Sequence, residues 1–102
     1  MTGDWTAVGP ADGADGDVRD ARVGGTYVAL ARADGQWYAF SDECSHEECI
    51  LSEGDLEGTA IVCDCHGSQF DVRTGEVLTG PATEPIATYP VRIVDGRIEL
   101  QV

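Results

Sequence analysis

Two short motifs in the middle of the chain combine cysteine with histidine, and both side chains are common ligands of transition metals in proteins. Cys44-Ser45-His46 and Cys63-Asp64-Cys65-His66 are separated by 16 residues. Each motif offers one thiolate and one imidazole from a single turn. The chain contains two histidines, both within these motifs, so no other imidazole could take their place.

This set of donors suits a two-iron cluster in which the irons have unlike ligands. Such a cluster takes two thiolates on one iron and two imidazoles on the other. A cysteine and a histidine close together in one loop can reach adjacent irons, and two facing loops complete the site. The candidate ligands are therefore Cys44, His46, Cys63 and His66.

Other chemistries use the same residue types. Zinc binds two cysteines and two histidines tetrahedrally, but its motifs more often pair cysteine with cysteine and histidine with histidine. Each motif here is mixed, which favours the two-iron cluster over zinc. A catalytic cysteine needs one nucleophile and one base, which is less than two matched motifs provide. Structural cysteines and histidines placed in this way by chance are the least favoured alternative.

The segments on both sides of these motifs are typical of β-strands, and Arg97 to Val102 alternates apolar with polar residues as a half-buried strand does. Asp34-Gly35 and Asp95-Gly96 predict two tight hairpin turns. The segment 9–17 is rich in Gly and Asp, and we expect a loop that does not pack. No segment shows helical periodicity. The predicted strands are Trp5–Val8, Val18–Val23, Thr26–Ala33, Gln36–Ser41, Val91–Val94 and Arg97–Val102.

The length and charge of the chain restrict its class. We expect the 102 residues to form one domain, residues 1–102, with a ligand-bearing insert at about residues 42–88. Six basic against 19 acidic residues give a formal net charge of −13, which disfavours nucleic acid and anionic membranes as partners. We find no membrane-length apolar run and no secretory signal, so we expect a cytoplasmic protein. Four cysteines in such a protein favour metal binding over a disulfide framework.

The two motifs resemble the two cluster-binding boxes of Rieske proteins, and the resemblance extends over about residues 23–102. Trp37-Tyr38-Ala39-Phe40 is similar to the strand that precedes the first box of that family. Phe70-Asp71, Thr74-Gly75-Glu76-Val77 and Gly80-Pro81-Ala82 are similar to the hairpin and the proline loop that follow the second box. The resemblance implies an all-β Rieske fold, in which antiparallel sheets form a base that carries a small cluster-binding subdomain.

The same resemblance implies roles for residues around the cluster. Cys49 and Cys65 match the positions of a disulfide that joins the two loops in high-potential Rieske proteins, a pair that the low-potential ferredoxins of oxygenase systems usually lack. Because the cytosol favours the dithiol, both the disulfide and the reduced pair stay open. Ser68 matches a hydroxyl donor to a bridging sulfide, whereas Phe70 stands where the high-potential group has a tyrosine donor. We therefore expect a potential between the extremes of the Rieske range and nearer the low end. Pro81 matches a third loop that shields the cluster.

Within the family, the chain is most similar to the separate ferredoxin of ring-hydroxylating oxygenase systems, an electron carrier and not an enzyme. The implied partners are a flavin- or iron-sulfur-containing reductase and a terminal oxygenase, which a monomer would meet transiently. The cluster tip would be the docking surface, and Glu47 and Glu48 would steer it to a basic partner. Those two acids could equally form an ordinary solvated loop. A fixed Rieske-like subunit of a nitrite reductase is the second hypothesis, and a zinc-bound interaction module is the third.

Overall fold

The computed structural model of the protein describes residues 4–45, 49–65 and 67–102. This part of the chain is almost entirely β-structure with one 3₁₀ turn, Leu51–Glu53, and it contains no helix able to cross a membrane. The strands are β1 (Thr6–Pro10), β2 (Val18–Val23), β3 (Thr26–Ala33), β4 (Gln36–Ser41), β5 (Asp55–Glu57), β6 (Ala60–Val62), β7 (Gln69–Asp71), β8 (Val77–Thr79), β9 (Thr88–Tyr89), β10 (Val91–Val94) and β11 (Arg97–Leu100).

Two antiparallel sheets form the base of the molecule, and a third sheet lies in the insert. The base sheets have the strand orders β1-β11-β10 and β2-β3-β4-β9, and the insert sheet has the order β5-β6-β7-β8. The structure therefore confirms the prediction of an all-β fold built from antiparallel sheets, and it shows that the insert contains a sheet of its own. The bounds predicted for β2, β3, β4 and β10 are also confirmed.

The first and last strands differ from the prediction. The first strand begins one residue later than predicted and continues to Pro10. The last strand ends at Leu100, where the prediction continued to Val102. The β10–β11 ladder ends with the pair Val91 and Leu100, and Pro90 precedes Val91. Because proline has no backbone N–H to donate, the regular ladder ends there.

Both predicted hairpin turns form, and their residues explain why. Asp34 and Gly35 have φ values of 53° and 77°, and Asp95 and Gly96 have values of 52° and 74°. Two consecutive positive φ values are what a type I′ turn requires, and Asp-Gly adopts them at low cost. These turns set the register of β3 with β4 and of β10 with β11. Local sequence therefore determines both hairpins.

The Gly- and Asp-rich segment before β2 is held against the base, so the prediction that it does not pack is wrong. Trp37 donates its indole N–H to the carbonyl of Ala11 at 2.8 Å. Asp15 accepts hydrogen bonds from the Arg32 guanidinium at 2.8 Å and from the Gly35 backbone N–H at 3.0 Å. The segment lacks large apolar side chains, but polar groups of the neighbouring sheet hold its backbone and carboxylates.

The insert packs onto the base through a shared apolar core. Phe70 and Ile61 from the insert sheet are fully buried in the same cluster as Phe40 of β4 and Ala29 of β3. A second cluster, centred on Leu30, lies between the two base sheets. Burial of a large apolar side chain contributes about 1.5–3 kcal/mol, so the shared core orients the insert on the base.

A close approach at Gly54 fixes the insert beside the second motif. A Cβ atom at Gly54 would overlap the carbonyl oxygen of Val62, the residue before Cys63. The φ of Gly54 is −88°, so the requirement for glycine here comes from space and not from backbone conformation.

We predict that Gly54→Ala lowers the free energy of unfolding by about 2 kcal/mol or more, because the added methyl group forces the two segments apart. Urea denaturation measures the loss. Gly25→Ala is the matched control, because a Cβ there meets no described atom within 4 Å. Equal stability of the two variants would contradict the prediction.

Candidate metal centre

The first cysteine motif lies in a loop that follows β4 and closes on itself. The backbone N–H of Cys44 donates to the carbonyl of Cys49 at 2.9 Å, and Glu43 forms an antiparallel bridge with Ile50. The Leu51 N–H donates to the carbonyl of Asp42 at 2.7 Å. These contacts place Cys44 and Cys49 opposite each other at the neck of the loop.

The second motif lies in a tight loop between β6 and β7. The Cys63 N–H donates to the carbonyl of Ser68 at 2.7 Å, and the Gly67 N–H donates to the carbonyl of Cys63 at 3.0 Å. Gly67 has a φ of +79°, a conformation that glycine adopts without a steric penalty. Cys63 is buried at the start of this loop, whereas Cys65 is exposed.

A disulfide between Cys49 and Cys65 joins the two loops, and the Cα atoms of these residues are 6.4 Å apart. This is the pairing that the resemblance implied. The Sγ atom of Cys63 lies within 4.8 Å of both disulfide sulfur atoms. Cys44 and Cys63 are 6% and 2% exposed and are not part of the disulfide.

These positions fit the sulfur half of the predicted ligand set. Each loop contributes one buried cysteine outside the disulfide, and the resulting total of two is the number of thiolates that one iron of a Rieske cluster takes. The group Cys49, Cys63 and Cys65 would suit zinc by distance, but two of its sulfur atoms bond to each other and are not thiolates. His46 and His66 lie outside the described residues, so the full set of four ligands stays a prediction.

A third loop, Gly80 to Glu84, is tied to both cysteine loops. The Ser45 hydroxyl donates to the carbonyl of Glu84 at 2.5 Å. The backbone N–H of Ala82 donates to the Ser68 hydroxyl oxygen at 3.0 Å. The Gly80–Pro81 peptide bond is cis. Hydrogen bonds therefore join the third loop to the segments that carry Cys44 and Cys63. The shielding role of Pro81 stays a prediction.

Ser68 and Phe70 lie where the second loop passes into β7, and both side chains are fully buried. The Ser68 oxygen accepts the N–H of Ala82, which leaves its own hydroxyl proton available to another acceptor. Phe70 has no polar atom to donate, as the sequence predicts. The hydrogen bond of Ser45 is not predictable from local sequence, because its partner lies 39 residues away.

Two buried carboxylates, one at the start of the first cysteine loop and one at the far end of β7, have opposite pKa shifts. Burial raises the pKa of Asp42, although hydrogen bonds from Ser52 act against this shift. Hydrogen bonds from Arg73 lower the pKa of Asp71, and its oxygens accept from the guanidinium of Arg73 at 2.8 and 3.0 Å. Both acids support loop ends: Asp42 begins the first loop and Asp71 ends β7.

Together, a β base and two linked loops with buried cysteines define a small metal-carrying β-protein. A profile of the Rieske [2Fe-2S] domain matches residues 4–90, and the chain belongs to this family. Its cofactor is a Rieske [2Fe–2S] cluster.

Individual relatives match nearly the whole chain. The anthranilate 1,2-dioxygenase ferredoxin subunit of Burkholderia cepacia is 39% identical, over 97% of this chain and 93% of its own. The ferredoxin component of the naphthalene 1,2-dioxygenase system of Pseudomonas putida is 41% identical, over 96% of this chain and 95% of its own.

Solved structures have the same fold. A chain in the complex of reduced oxygenase and oxidised ferredoxin of carbazole 1,9a-dioxygenase superposes with a TM-score of 0.88 at 36% identity, covering 93% of this chain and 99% of its own. A putative NADH-dependent nitrite reductase small subunit from Mycobacterium tuberculosis has a TM-score of 0.86 at 22% identity, covering 100% and 96%. At that identity the second match shows a likeness of fold alone.

We predict that replacing both disulfide cysteines, Cys49→Ser with Cys65→Ser, lowers the free energy of unfolding of the cluster-free protein by about 3 kcal/mol. The bond closes a loop with a sequence separation of 16, which restricts the unfolded chain. Urea denaturation measures the effect, and Cys49→Ser alone should match the double variant because it removes the same bond. Alkylation of both cysteines in the native oxidised protein would show that the bond is absent.

Proposed function

We propose that the protein is an electron-transfer ferredoxin that passes single electrons from a reductase to the terminal oxygenase of an aromatic ring-hydroxylating system. The observation that carries this proposal is the match of almost the full chain to ferredoxin components of dioxygenase systems. The sequence has no further histidine beyond the two in the motifs, so it cannot supply a second iron site of two histidines and a carboxylate. Because the relatives that match almost the full chain are ferredoxin components, we assign the role of electron carrier and not of oxygenase, and we place the protein in the cytoplasm.

Within this proposal, Cys44 and Cys63 bind one iron, and His46 and His66 bind the other. The cluster held by these residues would supply the one-electron chemistry of the carrier. Burial of Cys44 and Cys63 supports this assignment, because a protected thiolate–iron bond exchanges slowly with solvent. The Cys49–Cys65 disulfide and the third loop limit the movement of the two loops when the charge of the cluster changes.

The second hypothesis is a fixed subunit of a nitrite reductase. It rests on the fold likeness to the nitrite reductase small subunit at 22% identity, whereas the dioxygenase ferredoxins are about 40% identical over the whole chain. The two roles differ in solution behaviour. A free carrier purifies alone as a monodisperse monomer, while a fixed subunit exposes a partner surface and aggregates.

We predict that the purified protein is red-brown, contains two iron atoms per chain, and gives an EPR signal of low average g when reduced. Cys44→Ala and Cys63→Ala should abolish the colour, because each removes a thiolate from the same iron. Visible absorption, iron analysis and EPR measure these properties. Cys49→Ala, a cysteine outside the ligand set, is the matched control and should keep the colour. A colourless protein that contains zinc would refute the proposed function.

The part of the chain that carries the cysteine loops is strongly acidic, which bears on its partners. Residues 41–90 hold eleven acidic residues and a single arginine, for a formal charge of −10, whereas the remainder of the chain carries −3. The arginine is Arg73, whose guanidinium is paired with Asp71. Glu43, Asp64 and Glu84 are exposed around the loops. An acidic surface of this kind accelerates encounters with a basic partner surface.

We predict that electron transfer from the reduced protein to cytochrome c, a basic redox protein, slows about tenfold between low and 0.2 M salt. Glu47→Gln with Glu48→Gln should reduce the low-salt rate several-fold if these acids steer the encounter, and stopped-flow absorption measures it. Asp4→Asn with Asp12→Asn removes two charges outside residues 41–90 and should have little effect. A rate independent of salt would refute steering.

A further inference from the structure

Asp42 occupies an unusual place between the base and the first cysteine loop. It follows the last residue of β4 and precedes Cys44 by two positions, and it is only 3% exposed. Its backbone N–H donates to the carbonyl of Tyr27 on β3 at 3.2 Å. The residue is therefore anchored to the base before the loop begins.

The other polar groups of Asp42 bind the far end of the same loop. Its carbonyl accepts the Leu51 N–H at 2.7 Å. One carboxylate oxygen accepts the Ser52 N–H at 2.7 Å, and the other accepts the Ser52 hydroxyl at 3.0 Å. Asp42 and Ser52 thus close the segment that contains Cys44 and Cys49.

In the described part of this loop, the Asp42 carboxylate is the one side chain that accepts hydrogen bonds from Ser52. Without it, the Ser52 N–H and hydroxyl would lose their acceptor in a partly buried position, and each lost hydrogen bond of this kind is costly. The neighbouring acid, Glu43, has an exposed side chain and serves as a contrast. The Asp42 side chain therefore adds two hydrogen bonds to the backbone contacts that close the loop, and among the described residues no such hydrogen bond to the Glu43 carboxylate is seen.

We propose that Asp42 is a positioning residue of the cluster site, which holds Cys44 in place by closing the first loop onto Ser52. This inference rests on the proposed function, because it takes Cys44 as a cluster ligand. Asp42 acts through Ser52 and the loop backbone. Its removal should therefore reduce retention of the cluster more than it reduces the stability of the base.

The two tryptophans allow these effects to be separated. Trp5 precedes β1 and Trp37 lies in β4, so both report on the base. Visible absorption reports on the cluster. The experiment compares the rate of cluster loss to an iron chelator with the urea unfolding curve from tryptophan emission, for the holoprotein and four variants: Asp42→Ala, Asp42→Asn, Ser52→Ala and Glu43→Ala.

We expect Asp42→Ala to lose the cluster about tenfold faster or more, and Ser52→Ala to lose it faster by a smaller factor. Asp42→Asn should restore retention to within about threefold of the unmodified protein, since its amide oxygen accepts the Ser52 N–H and its amide N–H can donate to the Ser52 hydroxyl. Glu43→Ala, the matched loss of a carboxylate one residue along, should leave the rate unchanged. In all four variants, the shift of the tryptophan unfolding midpoint should be too small to account for the change in the rate of cluster loss.

Several results would overturn the inference. Unchanged cluster loss in Asp42→Ala would show that the loop holds Cys44 without it. A fall in the tryptophan unfolding midpoint that accounts for the faster cluster loss would make the residue a general stabiliser of the base. If Glu43→Ala accelerated cluster loss as much as Asp42→Ala does, the loss of a negative charge would explain the result, and closure of the loop would not. If the unmodified protein itself holds no cluster, the proposed function fails and this inference fails with it.

Discussion

The structure depends on one constraint: two separate loops, each carrying a buried cysteine outside the disulfide, must be held together on the base. Cys44 and Cys63 lie 19 positions apart in the chain, and each sits in a loop too short to have a core of its own. Three kinds of contact meet this constraint: a disulfide between the loops, hydrogen bonds from a third loop to both, and a shared apolar core beneath them. Because each contact acts on a different segment, no single hydrogen bond defines the site.

The base supports the cysteine loops and carries none of the candidate ligands. Its hairpins begin and end at turns with strong local preferences, and its arginines are used to hold other parts of the base. Arg19 lies over Trp37 and donates to the carbonyl of Pro10, and Arg92 lies over Trp5 and pairs with Glu99. Five of the six arginines are outside residues 41–90. As a result, residues 41–90 carry a formal charge of −10, whereas the rest of the chain carries −3.

An electron carrier must protect its cluster and still let a partner approach closely. The structure combines both conditions within a few residues. Cys44, Cys63 and Ser68 are buried, whereas Cys65, Pro81 and Glu84 in the adjoining loop segments are exposed. Polar atoms in this region are satisfied within the chain, since the described residues contain no buried side-chain nitrogen or oxygen without a partner. Such a site needs little rearrangement when a partner docks.

The sequence by itself determined the parts of this protein that depend on neighbouring residues. Runs of strand-forming residues between turn signals defined β2 to β4, the Asp-Gly pairs defined two hairpins, and the motif spacing defined the cluster family. Only the tertiary structure decided the contacts between distant segments: Ser45 with the carbonyl of Glu84, Asp42 with Ser52, and the Gly- and Asp-rich segment with Trp37. The physical reason is that turn and strand preferences arise from local backbone sterics, whereas a hydrogen bond across many residues exists only after packing has brought its two groups together.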